Sequence, residues 1–193
     1  MAWAELGFVC WFLREKSPQP ELTGDSLRAF QNAVRLGAED PGLIWDRIGH
    51  LHQETGNWQD AESAYRKAVE HDPKKFGYCL GISLCALGRY EEALPLLLAA
   101  AQEFQPDAMS WFNVARCYER LGKVPDAEVA YKKAIALDEN YADAWFDLGG
   151  LYWNHGDQRV ASIIWKEAIK RFPEHPNAEI VRDLLKEPLD DSQ

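Results

Sequence analysis

Four stretches of this chain are versions of one another, and the clearest copies are offset by 34 residues. One copy reads Trp145-x2-Leu148-Gly149-x2-Tyr152, followed by Gly156, Ala161, Trp165, Ala168 and Pro173. Another reads Trp111-x2-Val114-Ala115-x2-Tyr118, then Gly122, Ala127, Tyr131 and Ala134. An earlier one reads Trp45-x2-Ile48-Gly49, then Gly56, Ala61, Tyr65, Ala68 and Pro73. The copy between them, Leu80-Gly81, Gly88, Tyr90, Ala93, Leu97 and Ala100, lies 32 residues after the Trp45 copy. Gly77 takes its Trp slot, beside Tyr78, and the missing two residues fall near Lys74. A fixed period of this length specifies a solenoid whose repeating unit is a helix pair. No unit can bury its apolar face alone, so each must stack on its neighbours.

The residues within a unit carry that reading. Spacings of 3 and 4 in Trp145, Leu148, Gly149 and Tyr152 put one stripe on one helix face. Gly149 and Ala115 are small where the paired helix crosses; Ala61, Ala93, Ala127 and Ala161 do the same on the second helix. Gly56, Gly88, Gly122 and Gly156 end the first helices, where a left-handed residue satisfies otherwise unpaired carbonyls at least cost. Asp72-Pro73 and Phe172-Pro173 stop second helices, and Pro125 suits a first helical turn. Pro95 lies about a turn into its helix, which predicts a kink or a late start there.

Upstream, Trp3-x2-Leu6-Gly7-x2-Cys10 repeats the opening of the pattern and Ser26-x3-Phe30-x2-Ala33 its second half, with the loop signal Ser17-Pro18-Gln19-Pro20 between. Downstream, Ile180, Val181, Leu184 and Leu185 form one face of a segment after Pro176, and Glu179, Arg182, Asp183 and Lys186 the other. That is the pattern of a terminal capping helix. The expectation is therefore all-α: one solenoid over residues 1–187. Its units are 1–41 (divergent, with an enlarged turn), 42–73, 74–107, 108–141 and 142–175, with a capping helix over 177–187 and a disordered acidic tail over 188–193.

The 193 residues are 47% apolar, ample for a buried core. A net charge of -10 gives no general attraction to phosphate backbones, which argues against nucleic acid as a partner and for solubility or a basic one. Cys10, Cys79, Cys85 and Cys117 include no C-x2-C pair and no His at zinc-ligand spacing, so they are expected to be buried thiols in a reducing, cytoplasmic setting. No stretch reaches the roughly 18 apolar residues of a membrane span. Glu5 and the lack of a basic leader argue against a signal peptide.

The pattern resembles the tetratricopeptide repeat family over nearly the whole chain. Departures are local: Glu139 and Gln105 stand where Pro is usual, and Val124 and Gln158 replace an aromatic early in the second helix. The resemblance implies antiparallel helix pairs wound into a right-handed superhelix, with first-helix positions outside the core stripe lining a concave groove that binds an extended peptide or a helix. On this chain those positions are Asp46, Arg47, His50 and Gln53; Tyr78, Cys79, Ile82 and Cys85; Phe112, Asn113, Arg116 and Arg120; and Phe146, Asp147, Trp153 and Asn154. The chaperone-tail carboxylate clamp of some members is absent, because only Asn113 matches its pattern. Tyr78, Phe112, Phe146 and Trp153, with Arg116 and Arg120 between them, are the residue types that dominate interface hot spots. Asn113 resembles the groove Asn that grips a peptide backbone in several members. Phe112 and Phe146 have a second reading, packed into the seam between units.

No nucleophile and base, phosphate loop, metal ligand set or cofactor motif stands out; His50 and His52 point to different helix faces. The function expected is a non-enzymatic scaffold that binds a partner segment in the groove through Arg47, His50, Tyr78, Ile82, Phe112, Asn113, Arg116, Arg120, Phe146, Trp153 and Asn154. The alternatives are a self-associating assembly or coat component, a secretion chaperone, and the repeat arm of a larger protein. The first helix bears on the choice. Trp3, Leu6 and Cys10 are expected to pack inward, yet Phe8, Val9, Trp11, Phe12 and Leu13 make the remaining faces apolar too. A helix apolar nearly all round is normally buried. Phe8, Trp11 and Phe12 are therefore expected to be covered, by a second copy of the chain, by a partner, or by the segment Ser17 to Thr23 folding back.

Overall fold

The computed structural model describes residues 2–16 and 20–186. The acidic tail expected over 188–193 lies outside them, as do residues 17–19 of the expected connection, whose remainder, Pro20 to Thr23, belongs to the second helix. The helices are α1 (Ala2–Lys16), α2 (Pro20–Arg35), α3 (Pro41–Glu54), α4 (Trp58–His71), α5 (Pro73–Ala86), α6 (Tyr90–Ala99), α7 (Ala108–Arg120), α8 (Val124–Leu137), α9 (Ala142–Asn154) and α10 (Gln158–Arg171), and α1 packs on α2, α3 on α4, α7 on α8 and α9 on α10. Helix α11 (Pro176–Leu184) follows as a cap. The fold is an all-α solenoid of antiparallel helix pairs with no strand among the described residues. It divides into two compact units, residues 1–96 and 97–193, the division falling within α6.

The helix ends follow the expected chemistry. Gly56, Gly88, Gly122 and Gly156 have φ of 74°, 75°, 70° and 89°. The amide after each donates back across the turn, as Asn57 N–H does to the His52 carbonyl at 2.9 Å and Lys123 N–H to Tyr118 at 2.9 Å. Asp72 ends α4 and caps α5, its carboxylate accepting from the amides of Lys74 and Lys75. Pro95 sits inside α6, which begins at Tyr90 without delay; the irregularity comes after it, in a π-helical turn over Ala100–Phe104 closed by Gln105 N–H to the Ala100 carbonyl at 2.7 Å.

Within the unit of residues 1–96, Phe30 and Ala33 of α2 pack with Ile44, Ile48 and Leu51 of α3 and Ala64 of α4. A Cβ on Gly49 would collide with the Tyr65 ring, which is why that crossing takes a glycine. Tyr65 is fully buried and its hydroxyl donates to Gln53 at 2.9 Å. Glu62, also buried, accepts from Arg66 and Arg89, and both arginines reach Glu92. Trp45 carries the Lys67 ammonium over its face at 3.9 Å.

Within the unit of residues 97–193 the same plan recurs. Gly149 faces the Trp165 indole, whose N–H donates to the Phe146 carbonyl at 2.9 Å. The Tyr131 hydroxyl donates to Glu119 at 2.7 Å, and Lys133 lies over Trp111 at 4.0 Å. Helix α11 covers Trp165 and Ala168 with Ala178 and Val181. Ile180, expected on that buried face, is 62% exposed, because the helix turns Ala178 inward in its place.

Candidate functional site

Helices α7, α9 and α11 enclose a cleft of about 380 Å³ in the unit of residues 97–193. Successive turns of α7 supply Arg116, Glu119 and Arg120; α9 supplies Phe146, Asp147, Gly150 and Asn154; α11 supplies Asn177, Ile180, Val181 and Leu184, with Trp165 of α10 behind. Arg116, Arg120 and Asn154 are exposed at the rim. Phe146 is buried, stacked on the His175 ring at 4.3 Å, and His175 reaches the Asp143 carboxylate at 3.1 Å. Burial pushes the Asp147 carboxyl up to about 6, against the opposing pull of Arg116.

Of the groove residues expected here, Arg116, Arg120, Phe146 and Asn154 come together in this cleft. Phe112 does not: it is 7% exposed, with its ring against Tyr131 and Tyr141, and only the Arg116 guanidinium lies over it. Phe112 thus belongs to the seam, and Phe146 to the floor rather than the free surface. Trp153 packs on Trp165 at 5.2 Å. Asn113 donates its side-chain amide to the Met109 carbonyl at 3.0 Å, one turn back on its own helix. Asp147, a groove position in the sequence reading, also lines the cleft, whereas Glu119 and the whole α11 wall are additions of the structure; α11 reads in sequence only as a cap, since nothing local shows which neighbour its uncovered side faces.

In the unit of residues 1–96, Arg47 and His50 gather around the buried Asp46. The Arg47 guanidinium and the His50 Nε2 each lie 3.6 Å from its carboxylate, and Cys79 Sγ is 3.9 Å from the same His nitrogen. Burial raises the Asp46 carboxyl, lowers the His50 imidazolium, and pushes the Cys79 thiol up to about 12. Tyr78 and Ile82 are half-buried on α5. None of the four cysteines is in a disulfide.

The first helix corrects one expectation. Cys10 packs inward, but Trp3 and Leu6 are 42% and 46% exposed. In later units the Leu6 slot holds Ile48 and Leu148, at 2% and 3%. Ile48 is buried by the preceding α2, and no described helix precedes α1. Of the residues expected to be covered, Phe8 and Trp11 are half-buried by contacts within the chain: Phe8 lies edge-on to Phe30 at 5.1 Å, and Trp11 meets His50, Arg14 and Arg47. Phe12 stays exposed, so the outward apolar face is Trp3, Leu6, Val9, Phe12 and Leu13.

Stacked helix pairs presenting open clefts are the architecture of a protein-interaction scaffold, and no described helix is long and apolar enough to cross a membrane. Tetratricopeptide repeat models match residues 78–142, 120–176 and 42–75. The chain belongs to the tetratricopeptide repeat family. It is 24% identical over 165 residues to the tetratricopeptide repeat-containing protein trd-1 of Caenorhabditis elegans, covering 69% of this chain and 21% of that one. It is 27% identical over 173 residues to tetratricopeptide repeat protein 6 of Homo sapiens, covering 86% and 33%. The chain thus spans a third or less of these curated relatives. Among solved structures, YrrB, described as a TPR protein with an unusual peptide-binding site, superposes with a TM-score of 0.80 at 19% identity, covering 94% of this chain and 90% of that one.

Proposed function

We propose that this chain is a non-enzymatic, cytoplasmic adaptor that holds a segment of another protein in the cleft between α7, α9 and α11. The observation that carries this is one cleft combining an apolar floor, Phe146 with Trp165 and Val181, and two exposed guanidinium groups, Arg116 and Arg120, on one wall. The segment that fits offers an apolar or aromatic side chain with a carboxylate beside it. Aromatic anchors and arginines dominate interface energetics because they bury much area at little entropic cost. The peptide-binding site of YrrB supports the reading as a precedent for the fold.

Peptides selected from a random displayed library against the protein test this. The selected sequences should pair an apolar residue with Asp or Glu. A charge-assisted contact contributes about 1.5–3 kcal/mol, so Arg120→Glu should weaken binding by about tenfold or more. Lys132→Ala, on α8 and paired to Glu128 at 2.5 Å, should leave it unchanged. Equal losses from both variants would overturn the cleft as the binding site.

The outward face of α1 supports a second reading, self-association through a second copy. It exposes five large apolar side chains, of which Trp3 also lines a cavity of about 320 Å³ together with Phe8, Leu36, Leu43 and Ile44. Light scattering decides it: a dimer that Leu6→Glu with Val9→Lys converts to monomer is the expected result, and a monomeric wild type at high concentration overturns it.

A further inference from the structure

Three metal-capable side chains converge in the unit of residues 1–96, away from the α7–α9–α11 cleft. Asp46 and His50 stand one turn apart on α3, and Cys79 reaches them from α5. His50 Nε2 is 3.6 Å from the Asp46 carboxylate and 3.9 Å from Cys79 Sγ, and the three ligand atoms all lie within 4.8 Å of one another. Zinc bonds of about 2.0–2.3 Å in a tetrahedron place neighbouring ligand atoms about 3.3–3.6 Å apart. The separations from His50 exceed that by a few tenths of an ångström, and the Asp46 and Cys79 ligand atoms lie within 4.8 Å of each other, gaps that side-chain rotations close.

The donor set suits a zinc-like ion. One nitrogen, one oxygen and one sulfur are ligands that a soft thiolate biases away from magnesium and calcium. Carboxylate and thiolate together neutralise a divalent charge, with the imidazole neutral. The surroundings hold the ligands in place. The second Asp46 oxygen faces the Arg47 guanidinium at 3.6 Å, leaving the first for the metal. The His50 ring is fixed edge-on between Tyr65 at 5.5 Å and Trp11 at 6.2 Å. Such outer contacts orient metal ligands. Asp46 is buried while His50 and Cys79 are half-buried, so a fourth coordination position opens toward solvent. Arg47 and Lys75 both act on the Asp46 charge, which weakens the attraction for a cation and suits a reversible site rather than a permanent structural one.

We propose that Asp46, His50 and Cys79 form a three-ligand site for a divalent transition-metal ion of the zinc class, with its fourth position open. Titrating the reduced, full-length protein with cobalt(II) tests this. One equivalent should produce a thiolate-to-cobalt charge-transfer band with tetrahedral visible absorption, displaced by zinc(II). The band should disappear in Cys79→Ser and persist in Cys85→Ser, and apparent affinity should fall at least about tenfold in His50→Ala. Circular dichroism without metal identifies which variants are folded. Absence of the band in the folded wild type overturns the site whatever the variants do. A band that survives in Cys79→Ser, or an affinity unchanged in a folded His50→Ala, overturns the assignment equally: cobalt would then be on other ligands.

Discussion

At Gly149 the missing side chain is what lets α9 and α10 cross, because a Cβ there would run into the Trp165 indole. Gly149→Leu should therefore destabilise by about 1–3 kcal/mol or more, since overpacking a tight crossing forces backbone shifts. A thermal midpoint equal to wild type would place the crossing elsewhere. Asp147 makes a different residue-scale claim. Its folded pKa is raised from 3.8 to about 6 by burial, so between those values the native state holds a proton that the unfolded chain releases. Its contribution thus favours the native state at low pH and is lost as pH rises through about 6. Asp147→Asn stays neutral throughout. The variant should melt higher than wild type at neutral pH, with the difference closing as the solution is acidified toward the ordinary Asp range. A variant that melts lower at neutral pH would mean that the charge on Asp147 is wanted, through Arg116.

At the scale of elements, the glycines and prolines that punctuate the repeats are visible in sequence because helix ends are local events. Asp72-Pro73 and Gly122 needed no tertiary information. Which side of a helix is covered is a different matter. Leu6 and Leu148 occupy the same slot with the same residue, yet one is half-exposed and the other buried, since what buries the slot is the helix before it. Ile180 shows this at the other end, displaced from the core by the smaller Ala178. Helix α6 carries its own test. Pro95 leaves the Glu91 carbonyl without its usual donor, and a helix-interior proline costs up to about 3 kcal/mol relative to alanine. Pro95→Ala should raise the melting temperature. A lower value would show that the proline is required by the π-helical turn that follows it.

For the molecule as a whole, the repeat period carries the fold class directly, and the proposed binding cleft only in part. Arg116, Arg120 and Asn154 were identified from their place on the first helices, and they do line one cleft. Phe112 has both a groove and a seam reading in sequence, and its burial rests on Tyr131 of α8 and Tyr141 just before α9, whose rings pack against it. The Asp46–His50–Cys79 cluster escaped the spacing rules for metal ligands because Cys79 arrives from the next helix pair. Amide hydrogen exchange of the full chain, with and without a selected peptide, tests the scaffold account most directly. Protection should concentrate on α7 around Arg116 and Arg120, on the end of α9 at Asn154, and on α11. Protection confined to α8 or α10, or to the outward face of α1, would contradict it.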